Sequence, residues 1–320
     1  MAVYTEVSDD ELTAFLEAYE LGAVLSFKGI AEGVENSNYV LQTERGQYIL
    51  TLYEKRVARS DLPFFLGLLD HLAARGFPSA MPVKAKDGQA LRELCGRPAA
   101  IVTFLPGLWP RKVLPFHCRE LGAALARMHL ATADFPARRE NALSIAGWRK
   151  LVEACAPKAD TVHAGLSKTI VNELLHLEDH WPSGLPAGVV HADLFPDNVF
   201  FLGEQLSGII DFYFACNDFY AYELAVCVNA WCFETDGAFN ATKARHMLQA
   251  YRKLRPFSEA ELDALPTLAR GAALRFLLTR LYDWINHPPG AFVKPKDPLE
   301  YLRKLRFHQR VKGAAAYGLR

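Results

Sequence analysis

The sequence predicts an α+β chain of two lobes, an antiparallel β-sheet lobe followed by a mainly helical one. Three observations predict it. Strand-like stretches separated by turn residues crowd into the first third of the chain. Beyond Leu105-Pro106-Gly107 the apolar spacing turns helical almost to the C-terminus. One hairpin interrupts that helical run, Val199 to Phe201 answered by Leu206 to Ile210, and polar groups gather at its open end. The expected division is therefore residues 1–105 and residues 106–320.

Taken in order, Ser8-Asp9-Asp10-Glu11 is a capping box with Val7 and Leu12 placed as a staple, and it predicts a helix to about Glu20. Val24 to Lys28, Tyr39 to Thr43 and Tyr48 to Tyr53 have strand composition, with Glu44-Arg45-Gly46 turning between the last two. Ser60 or Asp61 caps a helix that runs to about Arg75 and stops at Gly76. Pro82 to Lys86 and Ala90 to Leu94 are expected to pair around Asp87-Gly88, and Ala99 to Phe104 adds a further strand. In the second part, helices are expected at 120–129 and near 147–155, 165–180, 221–233, 240–254, 259–285 and 297–311.

Composition narrows the function classes. The 320 residues suffice for a sizeable core, and 51% hydrophobic with 22% charged residues is ordinary for a globular enzyme. Lys plus Arg and Asp plus Glu are both 36, and this balance excludes a polybasic binder of nucleic acid or of a membrane surface. No apolar run of about 18 residues exists, and the N-terminal stretch lacks the basic and apolar regions of a signal peptide, so a cytoplasmic location is expected. The six cysteines form no C-x-x-C pair and are expected to be free thiols.

The chemistry concentrates in His191-Ala192-Asp193-Leu194-Phe195-Pro196-Asp197-Asn198 and in Ile210-Asp211-Phe212. A hairpin of this length brings Asn198 and Asp211 to one end, and Asp193 sits on the loop that leads in. Two oxygen ligands of this kind suit Mg²⁺, which prefers few protein ligands plus substrate phosphates. The spacing H-x-D-x-x-x-x-N followed by D-F is that of protein-kinase-like phosphotransferases. In that reading Asp193 accepts the proton of the attacking hydroxyl, Asn198 and Asp211 hold Mg²⁺, and His191 braces the loop. A hairpin with a polar turn and a solvated carboxylate is the plainer alternative.

With these residues in hand, the chain resembles the aminoglycoside phosphotransferase and choline kinase superfamily, and within it the bacterial homoserine kinases. The carriers are Glu35-Asn36-Ser37-Asn38-Tyr39, Tyr48 to Glu54, the two catalytic motifs, and Tyr222-Glu223-Leu224-Ala225. The tail segments Ala272 to Phe276, Arg280 to Asp283 and Lys296-Asp297-Pro298 carry the narrower likeness. The resemblance implies a protein-kinase-like bilobal fold. It implies ATP as phosphoryl donor, Mg²⁺ as cofactor and L-homoserine as acceptor, yielding O-phosphohomoserine for threonine synthesis. Choline, an aminoglycoside or a methylthiosugar is an alternative acceptor on the same fold, and a catalytically inactive nucleotide-binding module is a different class of alternative.

The resemblance also assigns residues. Asn36, Ser37 and Asn38 fall in the phosphate loop, where small polar residues let backbone N–H groups approach phosphate oxygens. Thr51 stands where kinases carry a lysine, and the apolar segment Leu62 to Leu69 lacks the partner glutamate, so Lys28, Lys55, Arg56 or Mg²⁺ alone must neutralise the phosphates. Thr103, Phe104 and Leu105 match the segment whose backbone receives adenine. Ala192 replaces an arginine, and Asp211 is followed too soon by Tyr222 for an activation segment, which implies a small-molecule acceptor. Glu223 is expected to hydrogen-bond the catalytic-loop backbone. On the tail helix, Arg275, Thr279 and Asp283 share one face. Internal ion pairing, for example Arg280 with Asp283, is one account of these charges. An acceptor site is the other, with Arg275 or Arg280 gripping the substrate carboxylate and Asp283 its ammonium group.

Overall fold

The computed structural model describes residues 5–30, 36–54, 57–287 and 294–319. The first lobe opens with helix α1 (Asp9–Leu16), whose Ser8 and Glu11 form the reciprocal cap the sequence predicts. A five-stranded antiparallel sheet follows, built from β1 (Val24–Gly29), β2 (Ser37–Thr43), β3 (Gly46–Leu52), β4 (Leu91–Leu94) and β5 (Arg97–Thr103), in the order β1-β2-β3-β5-β4. Helix α2 (Leu62–Ala74) is inserted after β3. In β2 the residues alternate between buried and half-buried, so one face meets α1. Leu41, Leu50 and Ile101 close this core against Leu12, Phe15 and Leu16.

One expectation for this lobe is corrected. The partner of Leu91–Leu94 is β5, joined to it by Cys95 and Gly96, and not the segment Pro82 to Lys86. Both turn residues have positive φ, 50° and 69°, the conformation a two-residue hairpin turn requires. Asp87-Gly88 makes only a local turn. The segment before it meets the sheet through the Pro82–Val102 bridge and the flanking bonds of Met81 and Val83, because a proline has no N–H to extend a ladder.

The second lobe is mainly helical: α3 (Pro115–Ala131), α4 (Ile145–Ala159), α5 (Leu166–His180), α6 (Tyr220–Trp231), α7 (Ala241–Leu254), α8 (Glu259–Ile285) and α9 (Leu299–His308). Its strands are β6 (Ala187–Val190) paired with β9 (Cys216–Phe219), and β7 (Val199–Leu202) paired with β8 (Gln205–Ile209). The β6–β9 pair is absent from the sequence reading, because four residues such as Cys216-Asn217-Asp218-Phe219 carry no clear alternation. Helix α2 packs into the core of this lobe as well as under the sheet: Leu62, Phe65 and Leu68 belong to the same apolar cluster as α3, α6 and α8. A further tie joins the lobes at Ser79–Ile209, and Leu108–Phe201 fastens the segment just after the division to the second lobe. No helix among the described residues is long and apolar enough to cross a membrane.

Three buried histidines serve as neutral connectors. His308 accepts from the Tyr317 hydroxyl at Nδ1 and donates from Nε2 to Asn229 Oδ1, at 2.8 and 3.1 Å. The tautomer follows from Asn229, whose amide nitrogen already donates to Ala225 and Ala269. His129 is 2.7 Å from the Tyr251 hydroxyl, and His191 is treated below. Burial pushes His308 down to about 3, His191 down to about 4 and His129 well below its ordinary value.

Two predictions follow from this packing. Gly122 of α3 lies against α7 so closely that a Cβ would fall 2.1 Å from the Met247 carbonyl oxygen. Gly122→Ala is therefore expected to destabilise the protein by about 1–3 kcal/mol in denaturant titration, although alanine is the better helix former. The histidines make the fold acid-labile. Each has a folded pKa below its unfolded one, so unfolding takes up protons below pH ~6.5 and stability falls as pH falls. By pH 5, His191 and His308 should each remove about 2 kcal/mol, visible as a falling thermal midpoint between pH 7 and 5.

Candidate active site

The catalytic-loop sequence lies where β6 ends, and its shape is set by backbone pairing on both sides. Val190 pairs with Cys216, which anchors the entry to the loop. A 3₁₀ turn at Pro196–Asn198 leads out into β7. The Ile210 N–H donates to the Asn198 carbonyl at 3.0 Å, which sets Asp211 beside Asn198 at the end of the hairpin. The Asn198 amide nitrogen donates to the Asp193 carbonyl at 2.9 Å. Asp193, Asn198 and Asp211 are thus brought together as the spacing suggests. Asp193 keeps about a fifth of its side chain exposed.

His191 ties the two halves of this arrangement. Its Nε2 is 2.9 Å from the Ile210 carbonyl, which can only accept, so Nε2 carries the hydrogen. Nδ1 is then free to accept from the Asp193 N–H at 3.3 Å. The buried ring stays neutral in this tautomer and spans the loops that carry Asp193 and Asp211. Ala192 and Asp211 both adopt left-handed backbone, with φ of 64° and 66°. Such conformations are costly for non-glycine residues and persist only when neighbours hold them.

Those neighbours come from the helices. Glu223 of α6 is fully buried, and its carboxylate accepts from the N–H groups of His191 and Ala192. Burial pushes this carboxyl up to about 7, against the opposing pull of the two N–H donors. Arg275 of α8 is also buried, and its Nη1 donates to the Ala192 carbonyl while Nη2 lies 3.8 Å from Asp193 Oδ1. The Trp231 indole donates to the Leu194 carbonyl at 2.8 Å. Neither this bond of Trp231 nor this use of Arg275 is part of the sequence reading. The signal in the sequence is an arginine on an almost wholly apolar helix, which must find polar partners inside the fold.

Above the loop, the third strand holds a neutral pair. Thr51 Oγ1 donates to Asn38 Oδ1 at 2.7 Å between directly paired residues of β3 and β2. Tyr213 follows the Asp211-Phe212 motif and meets the rings of Tyr53 and Phe65 edge-on, at 5.4 and 5.8 Å. Aromatic contact therefore joins the residue that follows β3, α2 and the Asp211 segment where a lysine–glutamate pair is absent. Asn36 and Ser37 are buried and turn their side chains inward: Asn36 Oδ1 accepts from the Glu54 N–H, and Ser37 donates to the Glu54 carboxylate at 2.8 Å. Glu35, Lys55 and Arg56 lie outside the described residues. Lys28 is exposed on β1. In the segment between the lobes, the Thr103 and Phe104 N–H groups are bonded to the Met81 and Gln47 carbonyls.

The tail-helix residues part company. Arg280 pairs with Glu300 of α9 at 2.6 Å and stacks over Tyr301, rather than pairing with Asp283. Burial alone would raise the Glu300 carboxyl, but Lys304 and Arg280 hold it down at about 2. Glu300 wins Arg280 because α9 packs alongside α8 and offers a site already held by Lys304 at 2.6 Å. Asp283 is exposed, and its charge reaches Cys155 of α4. Arg275 lies under the catalytic loop and not in open solvent.

A family model described as the phosphotransferase enzyme family matches residues 26–257, which takes in the sheet, the loop and the Asp211 hairpin. The homoserine kinase of Paramagnetospirillum magneticum is 63% identical over 325 residues, covering all of both chains. That of Afipia carboxidovorans is 64% identical over 319 residues, covering all of this chain and 98% of its own. Among solved structures, an amicoumacin kinase in complex with AMP-PNP and Ca²⁺ superposes with a TM-score of 0.69 at 16% identity, over 94% of this chain and 92% of its own. The likeness to the solved kinase establishes the protein-kinase-like fold, and the full-length identity places the sequence more narrowly. The chain belongs to the phosphotransferase enzyme family, in its homoserine kinase branch.

Proposed function

We propose that this chain transfers the γ-phosphoryl group of ATP to the side-chain hydroxyl of L-homoserine, with residues 1–105 covering the nucleotide and residues 106–320 carrying the acceptor. The observation that carries this reading is identity of 63–64% to homoserine kinases along the whole chain. The geometry supports a mechanism. The Asp193 carboxylate, partly exposed on a loop braced from both sides, accepts the proton of the attacking hydroxyl. Glu223, Trp231 and His191 keep the loop in place while that proton moves.

The donor set fits Mg²⁺. Asn198 spends its amide nitrogen on the Asp193 carbonyl, which leaves its oxygen as the ligand end, and Asp211 adds a carboxylate beside it. Bound there, Mg²⁺ would offset charge on the transferring group.

On the nucleotide side, the inward side chains of Asn36 and Ser37 leave the backbone of 36–38 as the phosphate contact. Thr51 lines the cleft as a neutral hydroxyl. With the N–H groups of Thr103 and Phe104 already bonded, Leu105 is the donor left for adenine. For the acceptor's charged ends the tail helix keeps two candidates. Asp283, exposed, suits the ammonium group, and Arg280, shared with Glu300, suits the carboxylate.

Purified protein with Mg-ATP should release ADP with L-homoserine and yield O-phosphohomoserine, and should leave choline and aminoglycosides unmodified. ADP release with choline and none with homoserine would reverse the assignment. Asp193→Asn should lower turnover by about 10²–10⁴ with nucleotide affinity little changed. Turnover within about threefold of wild type would place the base elsewhere. Asp211→Asn removes charge from the ion site and should raise the Mg²⁺ concentration needed for half-maximal activity steeply. Unchanged Mg²⁺ dependence would remove Asp211 from that site.

A further inference from the structure

We infer that Arg275 is a positioning residue for Asp193: it enters the catalytic loop from α8 and holds the Ala192 peptide and the Asp193 carboxylate in one orientation. The inference rests on the reading of Asp193 as the base.

Burial comes first. The Arg275 side chain is 2% exposed, so an acceptor carboxylate could take its guanidinium only by displacing contacts the protein already makes. Two of those contacts are to the loop. Nη1 donates to the Ala192 carbonyl, and Nη2 stands 3.8 Å from Asp193 Oδ1. The Phe276 and Phe214 rings lie 4.5 and 5.7 Å from the guanidinium carbon and help fix the plane. Phe214 belongs to the segment that follows Asp211, so the arginine lies against the loop and against that segment.

The second argument is the Ala192 backbone. Its φ of 64° is a conformation that a residue with a Cβ keeps only under constraint. Glu223 supplies that constraint on the N–H side and Arg275 on the carbonyl side. The two come from different helices, α6 and α8, and grip opposite ends of one residue. A residue tied on only one side could rotate, and the next residue is Asp193. A loop arginine at position 192 could not serve in this way, because its own backbone would be the part needing support.

The third argument is charge. Glu223, Asp218 and Asp193 all sense the Arg275 charge, and so do the neighbouring hydroxyl of Tyr222 and thiol of Cys216. Glu223 in turn feels Asp193 as a repelling neighbour. A buried carboxylate beside the base would push it outward, and Arg275 sits where it offsets that repulsion.

A double-mutant cycle tests this. Wild type, Arg275→Lys, Asp193→Asn and the double variant are assayed with Mg-ATP and L-homoserine, with thermal midpoints to confirm folding. Lysine keeps the charge and loses the fork, so Arg275→Lys should lower kcat about tenfold or more while both KM values stay within about threefold. In the Asp193→Asn background the same change should cost less than about threefold, because the group being oriented is gone. A tenfold rise in KM for homoserine with kcat kept would make Arg275 an acceptor ligand and overturn the inference. Equal losses in both backgrounds would overturn it too, as general packing. Full turnover in Asp193→Asn would overturn the base and the positioning role together. If wild type instead phosphorylates another alcohol, the acceptor assignment falls and the same cycle on that alcohol still decides the role of Arg275. Should Arg275→Lys fail to fold, amide exchange in the wild type decides: residues 190–194 exchanging as fast as exposed loop residues would overturn the clamp.

Discussion

The burial of Glu223 is the constraint on which the rest of the site depends. A carboxylate without solvent must be met by donors, and here the donors are the first two N–H groups of the catalytic loop. That bond fixes α6 against the end of β6. Once it is made, Ala192 must turn into left-handed backbone, Asp193 emerges at the surface, and the loop can return through the Pro196–Asn198 turn to start β7. Hairpin and loop then meet again through Asn198 and His191. Each of these bonds is worth only about 0.5–1.5 kcal/mol net, or somewhat more where charge assists. Their joint effect is geometric: Asp193, Asn198 and Asp211 are gathered at one end of the hairpin.

The sheet lobe solves a different problem. Kinase lobes are usually coupled by a lysine–glutamate pair, and this chain has Thr51 and an apolar α2 instead. The coupling is carried by packing. Tyr213 stands edge-on to Tyr53 and Phe65, and Arg139 lies over Phe65 while bonding Asp61 at 2.7 Å. Helix α2 consequently shares a core with the helical lobe. Such an arrangement suits an enzyme that acts on a small metabolite and has no activation segment to read.

Neutral histidines and ion clusters finish the helical lobe. His308 joins α9 to α6 and to the C-terminal turn at Tyr317, while Asn229 carries the link on to α8. Glu173 of α5 receives both Arg270 of α8 and Gln309. Arg280, Glu300 and Lys304 clip α8 to α9. These polar groups are satisfied inside the protein, which removes the penalty of burying them and leaves a rigid frame behind the loop.

What the sequence determined by itself was local or was written in spacing. The capping box at Ser8, the helices, the β7–β8 hairpin and the convergence of Asp193, Asn198 and Asp211 all depend on residues within about twenty positions of each other, where chain geometry leaves little choice. The bond of Glu223 to the loop was also legible, because its motif has a fixed place in the family's pattern. Tertiary structure decided the matters that depend on which side chain wins a partner. Leu91–Leu94 pairs with β5 because Cys95 and Gly96 adopt the positive φ that a two-residue hairpin turn requires. Arg280 went to Glu300 because α9 brought a carboxylate already held by Lys304. Arg275 reached Ala192, 83 residues away in sequence, because α8 crosses behind the loop. No periodicity or spacing encodes such a crossing; it exists only once the helices have packed.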